Sequence, residues 1–140
     1  MSEIPSAGCQ CYKMIIEIEF TNQPIPSQSH HANAGAGAVL EFHGIVREFE
    51  QGAKISALVY ELYEPMAEAV IRRILETLGE THPCLSVHVI HRHGTVPVGE
   101  ASIHVRVESK HRGEGLRLLE EFMNQLKADV PIWKTGSLPC

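Results

Sequence analysis

Residues 85–108, LSVHVIHRHGTVPVGEASIHVRVE, decide the fold. LSVHVIHRH (85–93) and ASIHVRVE (101–108) alternate in the manner of half-buried strands, and Pro97-Val98-Gly99 between them reads as a turn. A hairpin with one apolar face needs a cover, and the flanking segments offer one. Upstream, Pro65 opens a run in which Met66, Val70, Ile71, Ile74, Leu75 and Leu78 recur at helical spacing, which predicts a helix with Gly79 as its stop. Downstream, a helix is predicted from about Arg112 to Ala128, with Leu116, Leu119, Met123 and Leu126 along one stripe and Pro131 ending it.

Toward the N-terminus, KMIIEIEF (13–20) reads as a first strand. GAVLEFHGIV (37–46) and ISALVYELY (55–63) read as two arms of an antiparallel hairpin turning at Gln51, Gly52 and Ala53, with Arg47 at the end of the first arm. The order β, β, β, α, β, β, α predicts an α+β class, an antiparallel or mixed sheet carrying two main helices. Between the first two strands, TNQPIPSQSHHANAGA (21–36) has two prolines and almost no aliphatic residues, so it buries no face and reads as a mobile functional loop in preference to a degenerate short helix. Residues 1–12 read as a flexible N-terminus, 13–134 as a single domain and 135–140 as a short C-terminal tail.

At 140 residues, 44% hydrophobic and 21% charged, the chain has a globular composition, which excludes disorder and fits one domain. No window approaches the roughly 18 consecutive apolar residues of a membrane span, and MSEIPSAGCQCYK lacks a basic segment followed by an apolar one, so a cytoplasmic protein without a membrane partner is expected. Twelve Lys and Arg against seventeen Asp and Glu leave a net charge of -5, which disfavours a general nucleic-acid binder and makes any anion site local. Cys9, Cys11, Cys84 and Cys140 lack the density of a disulfide scaffold and are expected to be free thiols.

Lys127 shares a helical sector of roughly 80° with Arg112, Leu116, Leu119 and Met123. It borders the apolar face, where a less solvated amine is available for nucleophilic or proton-transfer work; a snorkelling lysine is the competing reading, and spacing alone favours it. Lys134, just past Pro131 and Trp133, presents a second amine, or is a solvated lysine near the end of the chain. Ser109, Lys110, His111 and Arg112 stand at a helix N-terminus, where unpaired N–H groups, the dipole and a two-pronged guanidinium suit a phosphate. The alternative is that Ser109 caps the helix and the others are surface residues.

Nine histidines raise the question of a metal. His91 and His93 fall on one strand face, away from His88, and a zinc site would need Cys84, His43 or His104 to converge with them. No Cys-x-x-Cys or His-x-x-x-His spacing nucleates one, so no metal ligand is assigned. There is also no phosphate loop, dinucleotide fingerprint or Gly-x-Ser-x-Gly elbow, which leaves kinase and hydrolase readings without support.

GAGAVLEFHGIVR (35–47), LVYELYEPMAE (58–68), VIHRHGTVPVGEASIHVRVESKHR (89–112) and LKADVPIWK (126–134) follow one another in this order. Together they resemble the catalytic (large) subunit of molybdopterin synthase, from about Gly35 to Lys134. The resemblance implies an α+β fold with an α/β-hammerhead-like subdomain. It also implies a homodimer flanked by two copies of a small ubiquitin-like sulfur carrier, together a heterotetramer. The implied activity is a sulfurtransferase of molybdenum cofactor biosynthesis: sulfur from the carrier's C-terminal Gly-Gly thiocarboxylate converts cyclic pyranopterin monophosphate into the dithiolene molybdopterin, with no metal or organic cofactor. By motif position, Lys127 and Lys134 are the implied catalytic lysines and also contact substrate. Arg47, His111 and Arg112 bind the precursor and its cyclic phosphate, and Ile45 and Val46 lend backbone contacts beside Arg47. Three departures stand out. EFEQG (48–52) follows Arg47 where many relatives carry Asn or His, the 21–36 loop stands where a helical stretch is common, and the chain ends soon after Lys134, so a segment closing over the pocket is expected to be missing. The alternative is a non-catalytic module of the same fold that binds anions or carrier tails. Both lysines argue against it, since Arg47 and Arg112 would suffice for binding. A His-rich metal-binding domain is the third reading.

Overall fold

The computed structural model describes residues 13–27 and 31–140. The expected flexible N-terminus, with Cys9 and Cys11, and residues 28–30 of the expected loop lie outside the described residues. The elements are β1 (Ile15–Thr21), β2 (Ala38–Ile45), β3 (Phe49–Glu50), β4 (Ala53–Leu62), α1 (Glu64–Thr81), β5 (Ser86–Arg92), β6 (Gly94–Pro97), β7 (Ala101–Ser109), α2 (Arg112–Asp129) and β8 (Ile132–Pro139). A mixed sheet, a smaller sheet and two long helices make this the α+β fold expected.

The first sheet has the order β1-β5-β7-β2, with β1 parallel to β5 and the other pairs antiparallel. Strand alternation sends Val87, Val89, Ile103, Val105 and Val107 to one face, where they pack with Ile71 and Leu75 of α1 and Leu118 and Phe122 of α2 in the main core. Each such buried side chain stabilises the fold by roughly 1.5–3 kcal/mol. The second sheet, β3-β4-β6, adds β8 on β4 and covers a small core of Val46, Ile55, Leu58 and Val96.

The β5–β7 hairpin forms as predicted, from Ser86↔Glu108 to His91↔Ile103. Its tip departs from the sheet: Gly94, at φ 84°, turns the chain into β6, which pairs with β4. The other hairpin needs correction. Gln51 (φ 51°) and Gly52 (φ 83°) make its tight turn, but the arms are β3 and β4. β2 pairs instead with β7 in the first sheet, for example Phe42↔Val105. The chain leaves that sheet at Val46, whose N–H donates to the Glu100 carbonyl (3.1 Å) while its own carbonyl accepts from Gly99 N–H (2.9 Å).

Three further expectations are corrected. Gly79 lies inside α1 rather than ending it. A Cβ there would sit 3.1 Å from Met14 Cε, so the glycine marks where the start of β1 touches the helix, and Pro83 supplies the stop. In α2 the buried residues are Gly115, Leu118 and Phe122, while Leu116 is exposed and Leu119, Met123 and Leu126 are only partly buried. Residues 135–139 belong to β8, which pairs with β4 from Leu62↔Ile132 to Ile55↔Pro139, so the expected tail is mostly sheet. In the loop, residues 22–27 and 31–37 contain no helix or strand, and Asn33 N–H donates to Glu108 Oε1 (2.9 Å), tying the loop to β7. No helix of the described residues is long and apolar enough to cross a membrane.

Candidate active site

The N-terminus of α2 is left open by its own sequence. His111 is the N-cap in an extended conformation, with no side-chain cap hydrogen bond. Ser109 is fully buried, and its hydroxyl donates to the His111 carbonyl (2.7 Å), so it does not cap the helix and the capping alternative fails. The first-turn N–H groups keep their capacity for an anion. They face a cleft of about 420 Å³ lined by Gly37, Lys110, His111, Arg112 and Gly113. Gly37 closes one side of it: its N–H donates to the Ser109 carbonyl (2.9 Å), and a Cβ on it would collide with the Lys110 carbonyl oxygen. The Arg117 guanidinium folds back over Gly113, 3.1 Å from where that glycine's Cβ would be. Lys110 belongs to the run that the sequence singles out at this helix N-terminus, whereas Gly37 and Arg117 were not singled out; Gly37 joins the cleft only through the long-range pairing of β2 with β7.

The other predicted residues stand elsewhere. Lys127 is exposed in the last turn of α2. It is about 22 Å along the helix axis from Arg112, at 1.5 Å per residue. Lys134 lies on β8 opposite Tyr60, half exposed, and donates to Glu50 Oε2 (3.3 Å). Glu50 is three residues beyond Arg47, which is exposed in the β2–β3 connection. Ile45 is exposed and Val46 buried, and both main-chain groups of Val46 are engaged within the fold rather than offered outward. One copy of the chain therefore holds the predicted site residues of α2 in two places, His111 with Arg112 at one end and Lys127 at the other, and does not gather all of them in one concavity.

Environment shifts Cys84, His91 and Glu41. Burial, with the charge of Glu114 adding to it, pushes the Cys84 thiol up to about 11. Cys84 and Cys140 are free, as expected. Burial holds His91 below the ordinary imidazole range, although its Nδ1 hydrogen-bonds the Arg92 carbonyl (2.9 Å). His91 is packed edge-on against Tyr60 and joins no metal-capable group among the described residues. The group that does form among the described residues is Glu41, His43 and His104. The hydrogen bond from His104 draws the Glu41 carboxyl below its ordinary range, against the opposing effect of burial.

Residues 20–129 match the family model described as MoaE protein. The chain belongs to the MoaE family. The MoaE match takes in Arg47, His111, Arg112 and Lys127 and ends before Lys134. The chain is 43% identical over 98 residues to the molybdopterin synthase catalytic subunit of Homo sapiens, covering 70% of this chain and 52% of that one. It spans about half the length of the mammalian and plant relatives it matches. Its fold is similar to the crystal structure of molybdopterin synthase from Staphylococcus aureus, with a TM-score of 0.76 and 32% identity over 86% of this chain and 93% of that one. A chain of the Helicobacter pylori complex of subunits 1 and 2 of molybdopterin-converting factor shares the MoaE fold at a TM-score of 0.63 and 19% identity, with 89% of each covered.

Proposed function

We propose that the chain is the catalytic subunit of a molybdopterin synthase. In this reading it transfers sulfur from the C-terminal thiocarboxylate of a small carrier protein to cyclic pyranopterin monophosphate, giving the molybdopterin dithiolene. The observation that carries the reading is the open N-terminus of α2 in a MoaE chain, where Lys110, His111 and Arg112 line one cleft. A cyclic phosphate there receives backbone N–H donors, the positive end of the helix dipole and a two-pronged guanidinium. Opening of the cyclic phosphate develops further negative charge, which the same fixed donors stabilise without reorganising.

Lys127 and Lys134 are assigned the transfer steps, engaging the carrier's terminal carbonyl or the substrate, and Arg47 adds a further guanidinium for the precursor. A small cyclic phosphate does not span the length of α2, so the site is completed between two copies of the chain: His111 and Arg112 from one protomer, Lys127 and Lys134 from its partner. This is the homodimer of the heterotetramer. The carrier is a ubiquitin-like protein whose flexible Gly-Gly tail reaches the reacting centre, in keeping with the two-subunit complex described for the Helicobacter pylori fold relative. We place the reaction in the cytoplasm, in keeping with free thiols at Cys84 and Cys140.

The test is to mix the purified chain with a thiocarboxylated carrier and the cyclic precursor, and to follow the dithiolene product by mass. Product should accumulate with the native chain and vanish with Lys127→Ala, while carrier binding stays nearly unchanged. Carrier and precursor that bind without any dithiolene forming would leave a binding module and sink the reading; turnover retained by Lys127→Ala would remove the lysine from its role.

A further inference from the structure

The face of the first sheet that points away from both helices holds a polar cluster for which the proposed reaction has no use. Residues two apart on a strand share a face, so Glu41 and His43 project together from β2 and His104 and Arg106 from β7. The β2–β7 register sets His43 opposite His104 and Glu41 opposite Arg106. Glu41 Oε1 lies 3.0 Å from His104 Nε2 and 3.5 Å from His43 Nε2. The two imidazoles stack at a tilt, centroids 4.6 Å apart, and the three ligand atoms all fall within 4.8 Å of one another.

That spacing is close to a coordination set. A tetrahedral zinc ion with bonds of roughly 2.0–2.1 Å separates its ligand atoms by about 3.3 Å. Both carboxylate–imidazole distances already bracket this value, and the exposed His43 closes the remaining one by rotating. His104 is 1% exposed, and among the described residues its Nδ1 meets no hydrogen-bond partner, so the polar engagement of this buried ring that the described residues supply is with the cluster.

The surroundings complete the case. Arg106 binds the other oxygen of Glu41 (3.2 Å) and is itself held by Glu108 (3.0 Å), which aims Oε1 at the histidines as an outer carboxylate-orienting contact does in metal sites. Two carboxylates and one guanidinium leave the group with a net negative charge when the imidazoles are neutral, which favours a divalent cation. Glu41 and His43 reach solvent, so a fourth position is open to water or to another protein's side chain.

We propose that Glu41, His43 and His104 form a binding site for a divalent transition metal, with zinc the best match to two imidazoles and a carboxylate. Bound there, the ion fastens β2, the edge strand of the first sheet, to β7. The proposal is independent of the transferase reading.

The test uses the full chain, stripped with a chelator and titrated with Zn²⁺ by calorimetry and with Co²⁺ by visible absorption. One equivalent per chain is expected, with the d–d bands of tetrahedral cobalt and no thiolate charge-transfer band, together with a rise in melting temperature. His43→Ala and Glu41→Gln, both at solvent-reaching positions, should each weaken binding at least about tenfold, no less than loss of an outer-shell contact does, while their circular dichroism stays native. Absence of stoichiometric binding, a thiolate band, or affinity unmoved in both folded variants would overturn the proposal.

Discussion

Arg112 and Lys127 are borne on the same helix yet stand about 22 Å apart along it. No small substrate touches both within one chain, so a site that needs both is shared by two chains. Arg112→Ala and Lys127→Ala are each expected to be inactive alone. When mixed and allowed to exchange subunits they should recover, because the heterodimer has one site with both native groups and one with neither. Random exchange of equal amounts around a twofold axis predicts about a quarter of native activity. No recovery, with exchange verified on tagged subunits, would place the whole site inside one protomer.

Gly37 presses the start of β2 against the turn that leads into α2. It has no left-handed φ, so the cost of a side chain is steric: an added Cβ meets the Lys110 carbonyl, a backbone atom that moves only with the cleft. Gly37→Ala should cost roughly 1–3 kcal/mol, as other overpacked positions do, and should weaken phosphate binding beyond what its melting shift explains. Gly136→Ala is the control, because its Cβ enters open space; it should stay within about 0.5 kcal/mol of the native chain. Calorimetry of both variants with a phosphate ligand decides the matter, and equal affinities would detach Gly37 from the anion site.

Local periodicity carried the helices and the β5–β7 hairpin, because Val87, Val89, Val105 and Val107 keep strict alternation and Ile71, Ile74, Leu75 and Leu78 keep a helical one. The partner of β2 was not legible: a strand pattern does not say which edge it joins, and the nearest hairpin turn attracted the wrong assignment. β8 escaped because IWKTGSLP has neither alternation nor strand-forming bias, and its order comes from lying along β4. The α2 stripe was misplaced because two apolar rows run side by side on the helix, and the row that is buried, Leu118 and Phe122, includes Gly115, which offers no apolar side chain to mark it, with Leu40 Cδ1 2.6 Å from where its Cβ would be. His111-Arg112 and Lys127 were found as residues on a helix. That they face different neighbourhoods follows from helix length, and that Glu41, His43 and His104 meet follows only from the β2–β7 register.

Cys84 is a packing residue, not a nucleophile. Its thiol is raised to about 11 by burial and by Glu114, so almost no thiolate exists near neutrality. With iodoacetamide at about pH 8, the exposed Cys140 should be alkylated while Cys84 stays intact, and Cys84 should react once the chain is unfolded. Peptide mass mapping reads both. Modification of Cys84 at the rate of Cys140 in the native protein would contradict this burial.

His91 predicts acid sensitivity. Burial holds its folded-state value below that of an unfolded histidine, which titrates near 6.5. Between those two values the unfolded chain binds the extra proton and the native chain does not, so stability must rise with pH across that window. The contribution is therefore fully present above about pH 6.5 and is lost progressively as pH falls toward the folded-state value. His91→Phe keeps an aromatic edge against Tyr60 but cannot take a proton, so its urea midpoint should fall less between about pH 7.5 and 5.5 than that of the native chain. Because the other histidines are common to both proteins, the difference between the two profiles isolates this ring, and superimposable profiles would show that His91 charges as easily in the fold as outside it.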